Sequence, residues 1–149
     1  MRVRALLHAV LMSSAFVAAC TTALRETAFR NEETELFRAR QESRVTCPTT
    51  IACEEAWART RAFIQTHSAT HIVQADDTAI QTAFPHAFGF VYLAASKSQE
   101  SDGDTVISLR AMCRGMYDSD GDAGPLYSTC AKSIISVEAE FRAWLQEGN

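Results

Sequence analysis

The chain has 149 residues, 47% of them hydrophobic, and a formal charge of −4 from 14 basic and 18 acidic residues. That length builds one domain with a modest core, and the apolar content is that of a globular protein rather than a disordered one. The acidic balance excludes a basic footprint for nucleic acid and any strong electrostatic pull towards an anionic membrane surface.

Residues 1–19 have the three-part pattern of an export signal. Arg2 and Arg4 make a basic start, and Ala5 to Val17 is an apolar stretch interrupted by His8, Ser13 and Ser14. About 20 apolar residues are needed to span a bilayer, so this stretch is too short for a stable anchor and suits a cleavable signal peptide. A buried N-terminal helix is the structural alternative. The following Val17-Ala18-Ala19-Cys20 resembles the lipobox of bacterial lipoproteins, with Val where the family favours Leu. The resemblance covers the first 20 residues. It implies cleavage before Cys20, a diacylglyceryl thioether on that cysteine and an acylated amino group, so the expected localisation is the bacterial cell envelope. Two or three acyl chains hold a protein stably where one does not. Thr21 and Thr22 follow the cysteine rather than the Asp that retains many such lipoproteins at the inner membrane, which implies the outer membrane, facing the periplasm. Secretion without lipid is the alternative.

Residues 20–45 are charged, mixed in sign and free of Gly and Pro. Glu26 and Arg30 stand in the favourable i,i+4 order, while Leu24, Ala28, Phe29, Leu36 and Phe37 form only an irregular apolar stripe. The segment is expected to be a partly helical tether, with a partner-binding helix as the functional alternative. The small α+β domain is then expected over 46–149.

Pro48-Thr49-Thr50 supplies a helix start. From there Cys53, Ala56, Trp57, Thr60, Phe63, Ile64 and His67 share one helical face at spacings of three and four, and the helix is expected to end around Ser68. His71 to Thr82 is rich in β-branched residues around Asp76-Asp77, which predicts one long bent strand or two short ones. Phe88 to Ser96 alternates, with Phe88, Phe90 and Tyr92 on one face and Val91 and Leu93 on the other. Thr105 to Cys113 alternates again and groups Ile107, Leu109 and Ala111, after a hairpin loop with its Asp102-Gly103 turn. An Asp- and Gly-rich loop runs to about Tyr127. From roughly Ala131 a last helix places Ile134, Ile135, Glu138, Phe141, Trp144 and Leu145 near one face. The expected fold is α+β, a two-layer sandwich of helix, three- or four-stranded antiparallel meander and helix.

With Cys20 committed to lipid, Cys47, Cys53, Cys113 and Cys130 remain. An even number in an oxidising compartment favours two disulfides, and four cysteines allow three pairings. Proximity favours Cys47 with Cys53 and Cys113 with Cys130. Loop closure assigns these about 2.4 and about 3.2 kcal/mol. A four-thiolate zinc site needs closer pairs than these spacings supply. A second resemblance rests on Cys53-x-x-x-Trp57 followed by Asp77-Thr78-Ala79-Ile80-Gln81-Thr82. This pattern is similar to that of small proteobacterial envelope proteins without an assigned function, covers about residues 47–145 and implies no catalytic residues.

Candidate chemistry is sparse. Asp118-Ser119-Asp120-Gly121-Asp122 begins as a calcium loop does, but Ala123 and Thr129 occupy the places of the required Gly and Glu, so a solvated turn is the better reading. His67 and His71 have the spacing of two helical zinc ligands, yet no Glu follows His67 and the helix ends between them. No Gly-x-Ser-x-Gly or Ser-x-x-Lys motif is present. Asp76-Asp77 and Glu54-Glu55 are neighbours whose side chains diverge. Trp57 and Trp144 lie on core stripes and are expected to pack. The expected function is therefore a non-enzymatic binding or accessory module, with no metal or cofactor, held to the membrane through lipid on Cys20 and serving an envelope protein partner. The alternative is a small periplasmic hydrolase or metal-dependent enzyme using His67, His71, His86 or Asp76.

Overall fold

The computed structural model describes residues 24–146. The expected signal peptide, the lipobox and Cys20 lie outside the described residues. Three helices and a five-stranded antiparallel sheet form an α+β fold. Helix α1 covers residues 24–42. It is followed by β1 (Arg44–Cys47), α2 (Thr50–His67), β2 (Ile72–Ala75), β3 (Ala79–Thr82), β4 (Val91–Gln99), β5 (Thr105–Cys113) and α3 (Tyr127–Gln146).

The strands β2 to β5 run as a four-stranded meander, and β1 adds to the far side of β5, giving the order β1-β5-β4-β3-β2. The fifth strand is one more than the sequence predicts. Four residues are too short for a periodic signal to stand out, and their β-branched Val45 and Thr46 are committed by pairing with Ile107 and Val106. His71 to Thr82 resolves into two short strands because the Asp76 carboxylate turns the chain between them. Its Oδ1 accepts from the Thr78 N–H at 2.8 Å and the Ala79 N–H at 2.9 Å. These bonds favour the ionised form and hold the Asp76 carboxyl well below the usual carboxylate range.

Helix α2 begins where Thr49 caps it, the hydroxyl accepting from the Ala52 N–H at 3.1 Å. Its buried face is Cys53, Trp57, Thr60, Phe63 and Ile64. Helix α3 starts four residues before the expected Ala131. Tyr127 is already buried, and the Cys130 N–H donates to the Leu126 carbonyl at 2.9 Å. Both helices cover the sheet face that presents Val45, Ile80, Leu93, Ala95, Ile107, Leu109 and Ala111 to one hydrophobic core. The two cysteine pairs lie at disulfide distance, Cys47 with Cys53 (Cα–Cα 5.2 Å) and Cys113 with Cys130 (5.6 Å). The first ties β1 to α2, and the second ties β5 to α3.

The sequence leads to a partly helical tether over residues 20–45. Residues 24–42 form a helix laid against the domain, with Leu36 and Ala39 buried. The boundary at 46 would cut through β1. An irregular apolar stripe is enough here because Leu36 enters the core, Phe29 packs against it, and polar contacts add to them. The Tyr117 hydroxyl donates to Glu33 Oε1 at 2.7 Å, Tyr127 donates to the same oxygen, and Ser128 donates to Glu32 at 2.9 Å. Burial, followed by the neighbouring Glu33, pushes the Tyr117 phenol up to about 12 and raises that of Tyr127 further.

Candidate functional site

The described surface carries two features that are not explained by packing alone: a groove along the outer edge of β1, and an aromatic cluster at the opposite end of the molecule. β1 ends the sheet, so one row of its backbone groups faces away from β5. Arg44, Val45 and Thr46 form the floor of a groove of about 470 Å³, walled by Gln41 and Glu42 at the end of α1 and by Arg142, Leu145 and Gln146 of α3. A narrower extension runs past Cys47 and Pro48 to Ala52, Glu55 and Arg59 of α2. The guanidinium of Arg59 donates to the Trp144 carbonyl and lies over the Trp144 ring, 5.7 Å from its centre. This holds α3 against α2 beside the narrower extension. Arg44 is paired with Glu100 across the hairpin loop. A free strand edge with mixed polar and apolar walls can accept an extended polypeptide, the main chain supplying the bonds and the walls the selectivity.

The second feature lies between β3 and β4. Phe84, Phe88 and Phe90 are exposed (59%, 65% and 52%). The sequence places Phe88 and Phe90 on a strand face with Tyr92, but β4 begins only at Val91. Pro85 and Gly89 keep the preceding residues out of the ladder: proline has no N–H to give, and Gly89 has φ +83°. Arg114 organises the cluster. Its guanidinium lies 5.0 Å from the Phe84 ring centre and 4.8 Å from that of Phe88, and donates to the Pro85 carbonyl at 2.7 Å and to the His86 carbonyl. Gly115 permits the Phe88 ring to lie against the chain, since a Cβ there would collide with it.

The third element is internal. Glu138 of α3 is fully buried. Its Oε1 accepts from the Ala111 N–H at 3.0 Å, and its Oε2 has no hydrogen-bond partner. The reason lies in the sheet. β1 pairs with residues 105–108 of β5 only, so the N–H groups beyond need other acceptors. The Ser43 carbonyl takes Leu109 at 3.4 Å, and Glu138 takes Ala111. Burial raises the Glu138 carboxyl from 4.5 to about 7, against the opposing pull of the Ala111 N–H, Arg40 and Arg110. A sealed carboxyl of this kind completes a sheet edge and has no route to a substrate.

The histidines proposed for catalysis are dispersed. His67 ends α2, stacks on Phe63 at 3.9 Å and bonds to the Phe63 carbonyl at 3.0 Å. His71, just before β2, and His86, in the bend between β3 and β4, are both exposed and lie on separate segments. Asp76 is occupied by its own turn. Asp118 Oδ1 accepts from the N–H groups of Asp120 and Asp122, closing an exposed acidic turn. Among the described residues no three His, Cys, Asp or Glu side chains are gathered as a metal site. Both tryptophans are packed. Trp57 Nε1 donates to the Asp76 carbonyl at 3.0 Å, and Trp144 Nε1 to the Arg59 carbonyl at 3.2 Å. Sequence reasoning missed the groove, which is made of four elements, and misplaced the aromatic cluster. Its signal was the density of Phe around Pro85 and Gly89.

Compared with known protein families, curated proteins and solved structures, the chain matches none. Among the described residues no helix is long and apolar enough to cross a membrane.

Proposed function

We propose that this chain is a bacterial envelope lipoprotein, cleaved before Cys20 and anchored by acyl chains at the outer membrane facing the periplasm. Its α+β domain is a non-enzymatic module that receives an extended segment of an envelope protein along β1. The observation that carries the binding role is the groove on the free edge of β1, walled by α1, α2 and α3. The basic start, short apolar stretch and Val17-Ala18-Ala19-Cys20 support the anchor, and two disulfide-distance cysteine pairs suit an oxidising compartment. The groove begins beside Glu42, about 27 Å along α1 from Leu24, so a partner can reach it clear of the membrane.

The test places a photo-crosslinking residue at Thr46 of the full-length protein in its own cells, beside a control at Asp104 on the hairpin loop. The expected result is a defined envelope protein trapped from position 46 and not from 104, with capture weakened by Arg142→Glu and by Cys20→Ser. Turnover of an envelope substrate, abolished by one polar substitution outside the groove, would overturn the reading in favour of an enzyme.

A further inference from the structure

The aromatic cluster and the start of α1 lie at the same end of the molecule. Phe29 of α1 rests on Tyr127, with ring centres 4.8 Å apart. One residue before Tyr127, Leu126 comes within 3.4 Å of the place a Cβ would take on Gly89, between Phe88 and Phe90. The Gly89 N–H donates to the Arg114 carbonyl at 2.8 Å, and the Arg114 N–H returns to the Phe90 carbonyl at 3.2 Å. A short run of packed residues therefore joins the first turns of α1 to three exposed phenylalanines. Leu24, at the head of α1, is 70% exposed on the same end.

Three residues separate Cys20 from Leu24. Four peptide steps reach at most about 14 Å, so acyl chains on Cys20 would hold this end of the domain within that distance of the headgroups. We infer that Phe84, Phe88 and Phe90 enter the interfacial layer of the bilayer that carries the anchor, as a second, apolar attachment that orients the domain. The inference rests on the lipid-anchor reading above. Monotopic contacts bury aromatic and aliphatic side chains a few ångströms into this layer, and Arg114 places a cation at the depth where headgroup phosphates lie. The occupant is a zwitterionic surface rather than a strongly anionic one. Asp118, Asp120 and Asp122 are exposed on the turn after Tyr117, which is joined to Glu33 of α1 at this same end, and they would oppose negative lipid. With the domain seated in this way, the β1 groove at the far end of α1 faces away from the membrane.

The experiment uses the full-length chain as its own cells produce it, reconstituted in phosphatidylcholine vesicles containing lipid brominated near the carbonyl groups. The native Trp57 and Trp144 are packed, their indole N–H groups bonded to the Asp76 and Arg59 carbonyls, and their signal, recorded from the unsubstituted protein in the same vesicles, is subtracted as background. The expected result is strong quenching of the added fluorescence in Phe88→Trp, and little in Ile51→Trp, whose position is 75% exposed at the start of α2. Phe90→Trp gives the same readout should Phe88→Trp disturb the contact with Gly115. Quenching is expected to weaken when anionic lipid replaces phosphatidylcholine. If the chain stays bound to vesicles but neither variant is quenched more than Ile51→Trp, the second attachment is overturned and the anchor stands. If mass analysis finds Cys20 unacylated and the chain floats free, the anchor reading fails and this inference with it. Protection of position 88 by an envelope protein instead of lipid would assign the cluster to a protein partner and overturn the membrane contact.

Discussion

Glu138 illustrates how one polar side chain on an apolar stripe can be required by its neighbours. Its carboxyl supplies an acceptor to the Ala111 N–H where β1 has ended, and burial lifts its titration from 4.5 to about 7. Between those values the folded protein holds a proton that the unfolded chain has released. Stability should therefore fall as pH rises through this window and level off above it. Glu138→Gln keeps an acceptor and removes the charge. We expect it to flatten the dependence of Tm on pH between about 4.5 and 7 and to raise stability at pH 8 by on the order of 2 kcal/mol. Thermal unfolding of the two proteins across that range is the check, and a parallel pH profile in both would show that Glu138 is not the titrating group. Asp76 is the opposite case, an exposed carboxylate held ionised by the N–H groups of its own turn.

At the scale of elements, α1 behaves as part of the domain. Leu36 is fully buried whereas its neighbour Phe37 is 65% exposed, so the helix has one committed side. Leu36→Ala should cost about 3 kcal/mol by leaving a cavity, and Phe37→Ala should change stability by less than about 0.5 kcal/mol. Equilibrium denaturation measures both. Equal, small effects would mean that α1 detaches freely and that the domain is stable without it. The carboxylates Glu32 and Glu33 serve the tyrosine and serine hydroxyls of the loop and helix they meet. Together with buried Leu36, these contacts let a charged, irregular stretch dock without a broad apolar stripe.

Across the whole molecule, the two cysteine pairs close the structure at opposite ends of the sheet. Cys47 and Cys53 hold the short edge strand β1 to the start of α2, while Cys113 and Cys130 hold the end of β5 to the start of α3. The Cys113–Cys130 loop is the longer one and contains the acidic turn. Replacing this pair by serine should cost about 3 kcal/mol, against about 2 kcal/mol for Cys47 and Cys53. Denaturant midpoints of the two double variants, compared at equal slope, test that order. The same geometry sends α1 from the aromatic end towards the β1 groove, which separates the proposed membrane contact from the proposed partner site.

The sequence by itself determined the elements whose signal is local. The Thr49 cap and the three-and-four spacing from Cys53 to Ile64 define α2, and the alternation of Ile107, Leu109 and Ala111 defines β5 over the same residues the structure gives. The cysteine spacings likewise pointed to the pairs found at disulfide distance. The tertiary structure alone decided the rest. Arg44–Cys47 is a strand because β5 has a free edge there, residues 24–42 dock because Leu36 enters the core while Tyr117 and Tyr127 converge on Glu33, and Phe88 and Phe90 stand out in solvent because Pro85 and Gly89 delay the start of β4. The groove joins residues from β1 and three helices, none of which carries a motif of its own. Periodicity records which side of an element is buried, whereas edge pairing, polar docking and grooves depend on residues far apart in the chain, whose proximity exists only after folding.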